Sequence, residues 1–105
     1  MPRTADQILA EIHVFQPVGG NWLPLDDRLA ELWAVGIPHS AIPVLLGVFE
    51  RFPDEDGAGV LWSIVHGLES VPGYEPALLE SAELRPTPFK LMMIDRLRRA
   101  GGRQT

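Results

Sequence analysis

The chain contains no cysteine. That excludes disulfides, thiolate nucleophiles and cysteine-ligated zinc within it, and it suits a reducing compartment such as the cytoplasm. Long apolar runs are missing as well. No stretch reaches the ~18 residues that crossing a bilayer requires. The opening segment MPRTADQILAEIH has no apolar core followed by a small-residue cleavage site, so no secretory signal is expected. Basic residues are scarce through most of the chain. Residues 1–84 carry 13 acidic and 3 basic side chains, a balance of −10, whereas residues 85–105 carry 1 acidic and 6 basic, a balance of +5. An acidic body argues against nucleic-acid binding, which needs a broad positive footprint that Arg96, Arg98, Arg99 and Arg103 alone do not supply. The asymmetry has two readings. The basic last segment suits the negative end of a helix dipole, or the acidic body attracts a basic partner.

What the chain does contain is enough apolar material for one core. With 105 residues, 46% of them hydrophobic and 22% charged, it reads as a single small globular domain over residues 1–105. Thr4 and Gln7 have the spacing of a capping box, and Ile8, Leu9 and Ile12 follow at helical intervals, so a first helix is expected to end near His13 to Phe15. Gln16 to Pro24, QPVGGNWLP, is an irregular loop, because two prolines, two glycines and Asn21 oppose regular structure. Trp22 there could serve either the core or a contact. A second helix from about Leu25 to Val35 places Leu25, Leu29, Leu32 and Trp33 on one stripe, and Gly36 ends it. A third begins near His39 or Ser40, with Ser40 as its cap and Pro43 harmless in its first turn. Ile42, Leu45, Leu46, Val48, Phe49 and Phe52 give it a broad apolar face, and Pro53 stops it.

The acidic turn Asp54 to Gly59 leads into a fourth helix over Val60 to Ser70, with Leu61, Ile64, Val65 and Leu68 inward and one of the acids capping. Val71-Pro72-Gly73 turns the chain into a fifth helix bearing Leu78, Leu79 and Ala82. Thr87 caps a sixth that starts with Pro88 and places Phe89, Met92, Met93 and Leu97 at helical spacing; both methionines read as core. Gly101-Gly102 ends it, leaving a frayed tail over 101–105. No strand-like alternation appears. The expected fold is all-α, about six short helices packed as antiparallel hairpins, with HEAT-like stacking one form this can take.

Chemical signatures are thin. Gly19-Gly20 lacks the rest of a phosphate-binding loop. His66 and Glu69 share a helix face, but no third metal ligand accompanies them; the ordinary reading is a hydrogen bond from His66 to Glu69 or a nearby turn. No serine sits in a nucleophile elbow, and the carboxylate pairs lie on solvated helix faces. Neither an enzyme nor a cofactor is expected. The candidate binding residues are surface groups: Asp54, Glu55 and Asp56 in the acidic turn, Glu69, and Tyr74 with Glu75 at the mouth of the fifth helix. Tyr74 and Glu75 read either as packing and helix-end groups or as an interface pair.

The segment WSIVHGLESVPGYEPALLESAELRPTPFKLMMIDR, with HGLE, PGYE and PTPF at fixed spacing, resembles small all-helical immunity proteins of bacterial polymorphic-toxin systems, including contact-dependent inhibition. The residues that carry the resemblance are Trp62, His66, Gly67, Leu68, Glu69, Pro72, Gly73, Tyr74, Glu75, Leu79, Ser81, Pro88, Phe89, Met93 and Arg96. It implies a protein that binds and silences a cognate toxin, without implying which residues make the contact. Gly67 in mid-helix costs about 0.8–1 kcal/mol against alanine, and a close helix crossing would explain it. The expected function is therefore that of a cytoplasmic immunity protein against a toxin, a basic nuclease being a toxin that the acidic body would suit, with a helical adaptor or self-associating domain as the alternative.

Overall fold

The computed structural model describes residues 4–102. Six α-helices account for most of them: α1 (Ala5–Val14), α2 (Leu23–Val35), α3 (Ala41–Arg51), α4 (Val60–Glu69), α5 (Tyr74–Leu84) and α6 (Pro88–Gly102). There is no β-strand among the described residues, only an isolated bridge between Val18 and Asn21. No helix among them is long and apolar enough to cross a membrane. The helices pair as α1 with α2, α3 with α4 and α5 with α6. The odd-numbered helices also pack in a row, α1 on α3 and α3 on α5, while α2 packs on α4. The result is a stack of three helical hairpins, as expected for an all-α chain with short turns. Its radius of gyration, 13.8 Å, is slightly above the ~13 Å of a 100-residue globule, as a stack of hairpins should be.

The core follows the apolar stripes. Ile8, Leu9 and Ile12 of α1, Leu25, Leu29 and Leu32 of α2, Leu45, Leu46 and Phe49 of α3, and Leu61, Ile64, Val65 and Leu68 of α4 are all buried. Each such side chain contributes about 1.5–3 kcal/mol on leaving water. The capping box of α1 is formed: the Gln7 N–H donates to Thr4 Oγ1, and the Thr4 N–H donates to Gln7 Oε1. Thr87 caps α6 by accepting from the Lys90 N–H. Asp56 accepts from the Ala58 N–H and so caps a single 3-10 turn, Gly57–Gly59, ahead of α4 rather than α4 itself. Ala58 in that turn has φ 55°, a left-handed conformation disfavoured for a residue with a Cβ.

Four details differ from the sequence reading. Helix α2 begins at Leu23, because Pro24 is tolerated in a first turn, so the irregular loop is shorter than 16–24. Ser40 precedes α3 in an αR conformation and makes no capping hydrogen bond. Leu79 faces outward, 47% exposed. Helix α6 continues through Gly102, two residues into the tail expected over 101–105, and the rest of that tail lies outside the described residues.

The loop between α1 and α2 is anchored by Trp22, which is buried and makes edge and tilted contacts with Phe52 and Phe15 at 5.1 and 5.7 Å between ring centroids. Its indole packs tightly on Gly57, where a Cβ would lie 3.0 Å from the ring. Arg51 closes the end of α1. Its guanidinium donates to the Phe15 and Ile12 carbonyls at 2.7 and 2.8 Å and lies over the Phe52 ring. The Ile12 carbonyl also accepts from the Phe15 N–H at 3.2 Å, and the cation from α3 adds a charged donor to these carbonyls at the negative end of α1. Burial pushes the Arg51 pKa down from its ordinary value. Gly67 lets α4 meet α2 closely, because the Trp33 ring edge occupies the space its Cβ would need.

Candidate functional site

Folding brings part of the basic last segment onto two acids of the body, Glu50 and Glu69. Lys90 is completely buried, and its ammonium donates to Glu50 Oε2 at 2.8 Å, to the Arg85 carbonyl at 2.7 Å and to the Ser81 carbonyl at 3.4 Å. Three protons thus meet three acceptors, two of them at the negative end of α5. Glu50 also faces Arg85 at 3.6 Å. Glu69 holds Arg96 in a two-pronged pair at 2.8 and 2.9 Å, and Asp95 holds Arg99 at 2.8 Å. Arg28 lies between Glu11 and Glu31. Among the described residues only Arg98 is a cation without an acceptor on this chain. Lys90 and Arg96 of the last helix thus neutralise particular acids of the body, while Arg99 pairs within the helix.

The acidic turn keeps its charge. Asp54, Glu55 and Asp56 are all exposed, and no cation among the described residues pairs with them. Asp56 directs an oxygen to the Ala58 N–H, while the Asp54 and Glu55 carboxylates have no side-chain partner there. Beside the turn lies an aromatic ledge where α4 and α6 meet. On α4 the inward stripe takes positions 61, 64, 65 and 68, which leaves Trp62, His66 and Glu69 on the outer face. On α6, Phe89, Met92 and Arg96 share a face at helical spacing. The two faces adjoin. Trp62 meets Phe89 edge to face, with ring centroids 5.7 Å apart and planes at 75°, and Glu69 meets Arg96 two turns further on. Phe89 has its other side stacked on the buried Phe49 ring, at 5.1 Å and 6°. Trp62 itself is 41% exposed, and Met92 and Phe89 are half-buried.

Two hollows connect these features. One, of about 200 Å³, is lined by Trp62, Pro88, Phe89 and Met92. The other, of about 550 Å³, is lined by residues 53–56 together with the same Pro88 and Phe89. The aromatic ledge and the acidic turn are therefore one continuous surface. The aromatic hollow falls below the ~300–1,000 Å³ of a small-molecule cleft; its size suits a partner's side chain.

The residues singled out from sequence do not form one site. Asp54, Glu55 and Asp56 precede α4, while Glu69, Tyr74 and Glu75 lie at its far end, about 15 Å away along a ten-residue helix. Both oxygens of Glu69 are held by Arg96. Tyr74 is half-buried and packed on the core, with its phenol pKa raised by burial first and by the charges of Glu69 and Glu75 next. Glu75 is exposed in the first turn of α5, where its charge suits the helix N-terminus. His66 lies beside Trp62, with ring centroids 6.3 Å apart, rather than bonding Glu69. The methionine pair divides: Met93 is core, whereas Met92 joins the ledge. Trp62, Phe89 and Met92 are the binding candidates that sequence reasoning missed; the position of Trp62 off the inward stripe of α4 was the available signal.

Other hollows lie away from the acidic turn. One of about 490 Å³ at the α2–α4 crossing includes Trp33, His66 and Gly67. Another, of about 320 Å³ between α3 and α5, is bordered by Ile42, Leu46, Ala77 and Leu84. Among the described residues no three His, Asp or Glu side chains are gathered as a metal ion would require. No protein family matches the chain, and neither does any curated protein or solved structure.

Proposed function

We propose that the protein is a stoichiometric inhibitor of another protein, an immunity protein acting in the cytoplasm on a toxin domain encoded beside it. The observation that carries this reading is the continuous surface of an exposed tryptophan ledge and an unpaired acidic turn. Tryptophan is enriched among residues that dominate binding energy, and half-exposed aromatics supply contact area with little side-chain entropy to lose. Carboxylates at the rim of such a surface raise the rate of encounter with a basic partner more than the final affinity. A toxin that acts on nucleic acid carries the complementary charge, and occluding its basic surface would silence it. The all-helical fold is the one the resemblance carried by the HGLE, PGYE and PTPF segments implies.

Growth rescue tests the proposal. The neighbouring toxin domain is expressed in a bacterium with and without this protein. Rescue together with a one-to-one complex on co-purification is the expected result. A folded, well-expressed protein that neither rescues nor co-purifies would remove the immunity reading.

A second reading has its own observation. Leu84 is 75% exposed at the end of the hollow between α3 and α5, which suits an adaptor domain or self-association. Concentration-dependent dimerisation lost on Leu84→Ser would favour it.

A further inference from the structure

We infer that the ledge is a receptor for a cationic side chain, an arginine carried on an apolar segment of a basic partner protein. The guanidinium lies on the open face of Trp62, within reach of the Asp54 and Glu55 carboxylates. This rests on the protein-binding reading above and specifies what that surface recognises.

Three features combine in the argument. Trp62 is the best kind of ring for attracting a cation, because the negative face of an indole is larger than that of a phenyl ring. Its orientation is fixed by the edge contact with Phe89, and Phe89 is itself held flat against Phe49. The open aromatic surface is therefore preorganised. The adjoining Asp54 and Glu55 carboxylates have no competing side-chain partner among the described residues. Asp54 and Glu55 face a hollow that shares Pro88 and Phe89 with the ledge, so one side chain can lie on the aromatic surface and reach the turn.

The chain does not supply the occupant from its own described residues. Arg28, Arg51, Arg85, Lys90, Arg96 and Arg99 are each held by an acceptor elsewhere. Arg98 lies nine residues beyond Phe89 on α6, roughly 13 Å along the helix axis. A planar guanidinium fits this surface better than an ammonium, because it can stack on a ring and pair in-plane with a carboxylate at once. The flanking apolar residue of the partner would cover Met92 and Pro88.

The test has an arm that does not depend on the toxin. The full chain, labelled with nitrogen-15, is titrated with acetyl-Leu-Arg-Leu-Arg-amide and with the same peptide bearing glutamine for arginine. The three indole N–H signals are assigned by Trp→Phe variants. The expected result is movement of the Trp62 signal with the arginine peptide and not with the glutamine peptide, with the Trp22 signal unmoved. Equal movement with both peptides, or none at millimolar peptide, would overturn the inference.

In the second arm, the toxin affinity of Trp62→Leu and of the exposed pair Asp54→Asn, Glu55→Gln is compared with wild type. Trp62→Leu is expected to weaken binding by about tenfold or more, and the carboxylate pair to slow association several-fold at low salt. Growth rescue that persists with unchanged affinity in both variants sinks the ledge and leaves the immunity reading standing. Peptide binding at Trp62 without any toxin complex does the reverse. Dimerisation abolished by Arg98→Gln would identify a second copy as the occupant and overturn the proposal.

Discussion

Replacing Gly67 by alanine sets two effects of known sign against each other. Alanine is the better helix former, by about 0.8–1 kcal/mol in a helix interior. Opposing this, a Cβ at position 67 would lie 2.5 Å from both Cη2 and Cζ2 of Trp33 and 3.2 Å from Cε2. Carbon atoms pack at about 3.5–4.0 Å, so the indole must retreat by roughly 1 Å or more. Trp33 is only half-buried and can swing outward, but it then gives up its packing over α4. Overpacking of this kind costs about 1–3 kcal/mol. With two ring carbons struck at once the upper part of that range applies, and the net loss is about 1–2 kcal/mol. For a domain this small each kcal/mol lowers the melting temperature by about 4–8 °C. The assay is urea unfolding followed by far-ultraviolet circular dichroism for wild type, Gly67→Ala, Trp33→Leu and the double variant. In the Trp33→Leu background the outer ring carbons are gone, and Gly67→Ala should become stabilising by about 0.8–1 kcal/mol. An equal loss in both backgrounds, or a gain in the wild-type background, would refute the idea that Trp33 is what requires glycine at 67.

Other expectations are as direct. Ala58→Gly should raise stability by about 0.5–1 kcal/mol in the same urea assay, since it relieves a left-handed alanine and returns part of the gain as unfolded-chain entropy. Glu50→Ala should lower stability by about 3 kcal/mol, because it leaves the buried Lys90 ammonium with carbonyl partners alone; Glu50 is itself one-quarter exposed, so the lower end of the range for a broken buried pair is appropriate. Tyr74 gives a pH signature. Its folded pKa lies above the ordinary 10, so the folded protein holds the phenolic proton more tightly than the unfolded chain. The resulting stability is complete below about pH 9 and is lost as pH rises through the folded value. Tyr74→Phe should flatten the fall of the urea midpoint between about pH 9 and pH 11; an unchanged slope would contradict the shift.

The helices were legible because each has an inward stripe that recurs every three or four residues. The periodicity of 8, 9, 12 on α1 and of 61, 64, 65, 68 on α4 is a one-dimensional record of burial. The close approach at Gly67 was legible as well, since a mid-helix glycine disfavours its own helix. Contacts between distant segments were not legible. Nothing in sequence tells that Lys90, on a basic-looking helix, would sit fully buried among acceptors from positions 50, 81 and 85. The same blindness applied to the candidate site. Glu69 read as a partner for His66 or as a surface binding group, but Arg96, 27 residues later, holds it. Phe89 and Met92 had the spacing of core residues, and only the position of α6 beside α4 leaves them on a ledge with Trp62. The acidic turn stood out in sequence because its charges are local; its continuity with aromatic residues 62 and 89 is a property of the fold.

The central claim, that the partner is a basic toxin domain, is tested most directly by the association rate between that proposed partner and this protein at low and at high salt. Unpaired carboxylates beside an aromatic anchor should steer a basic partner, with a one-to-one complex whose association slows markedly as salt shortens the Debye length from about 30 Å at 0.01 M to 8 Å at 0.15 M. Neutralising Asp54 and Glu55 should remove much of that dependence. A complex whose association rate is the same at both salt concentrations, or the absence of any complex, would contradict the account.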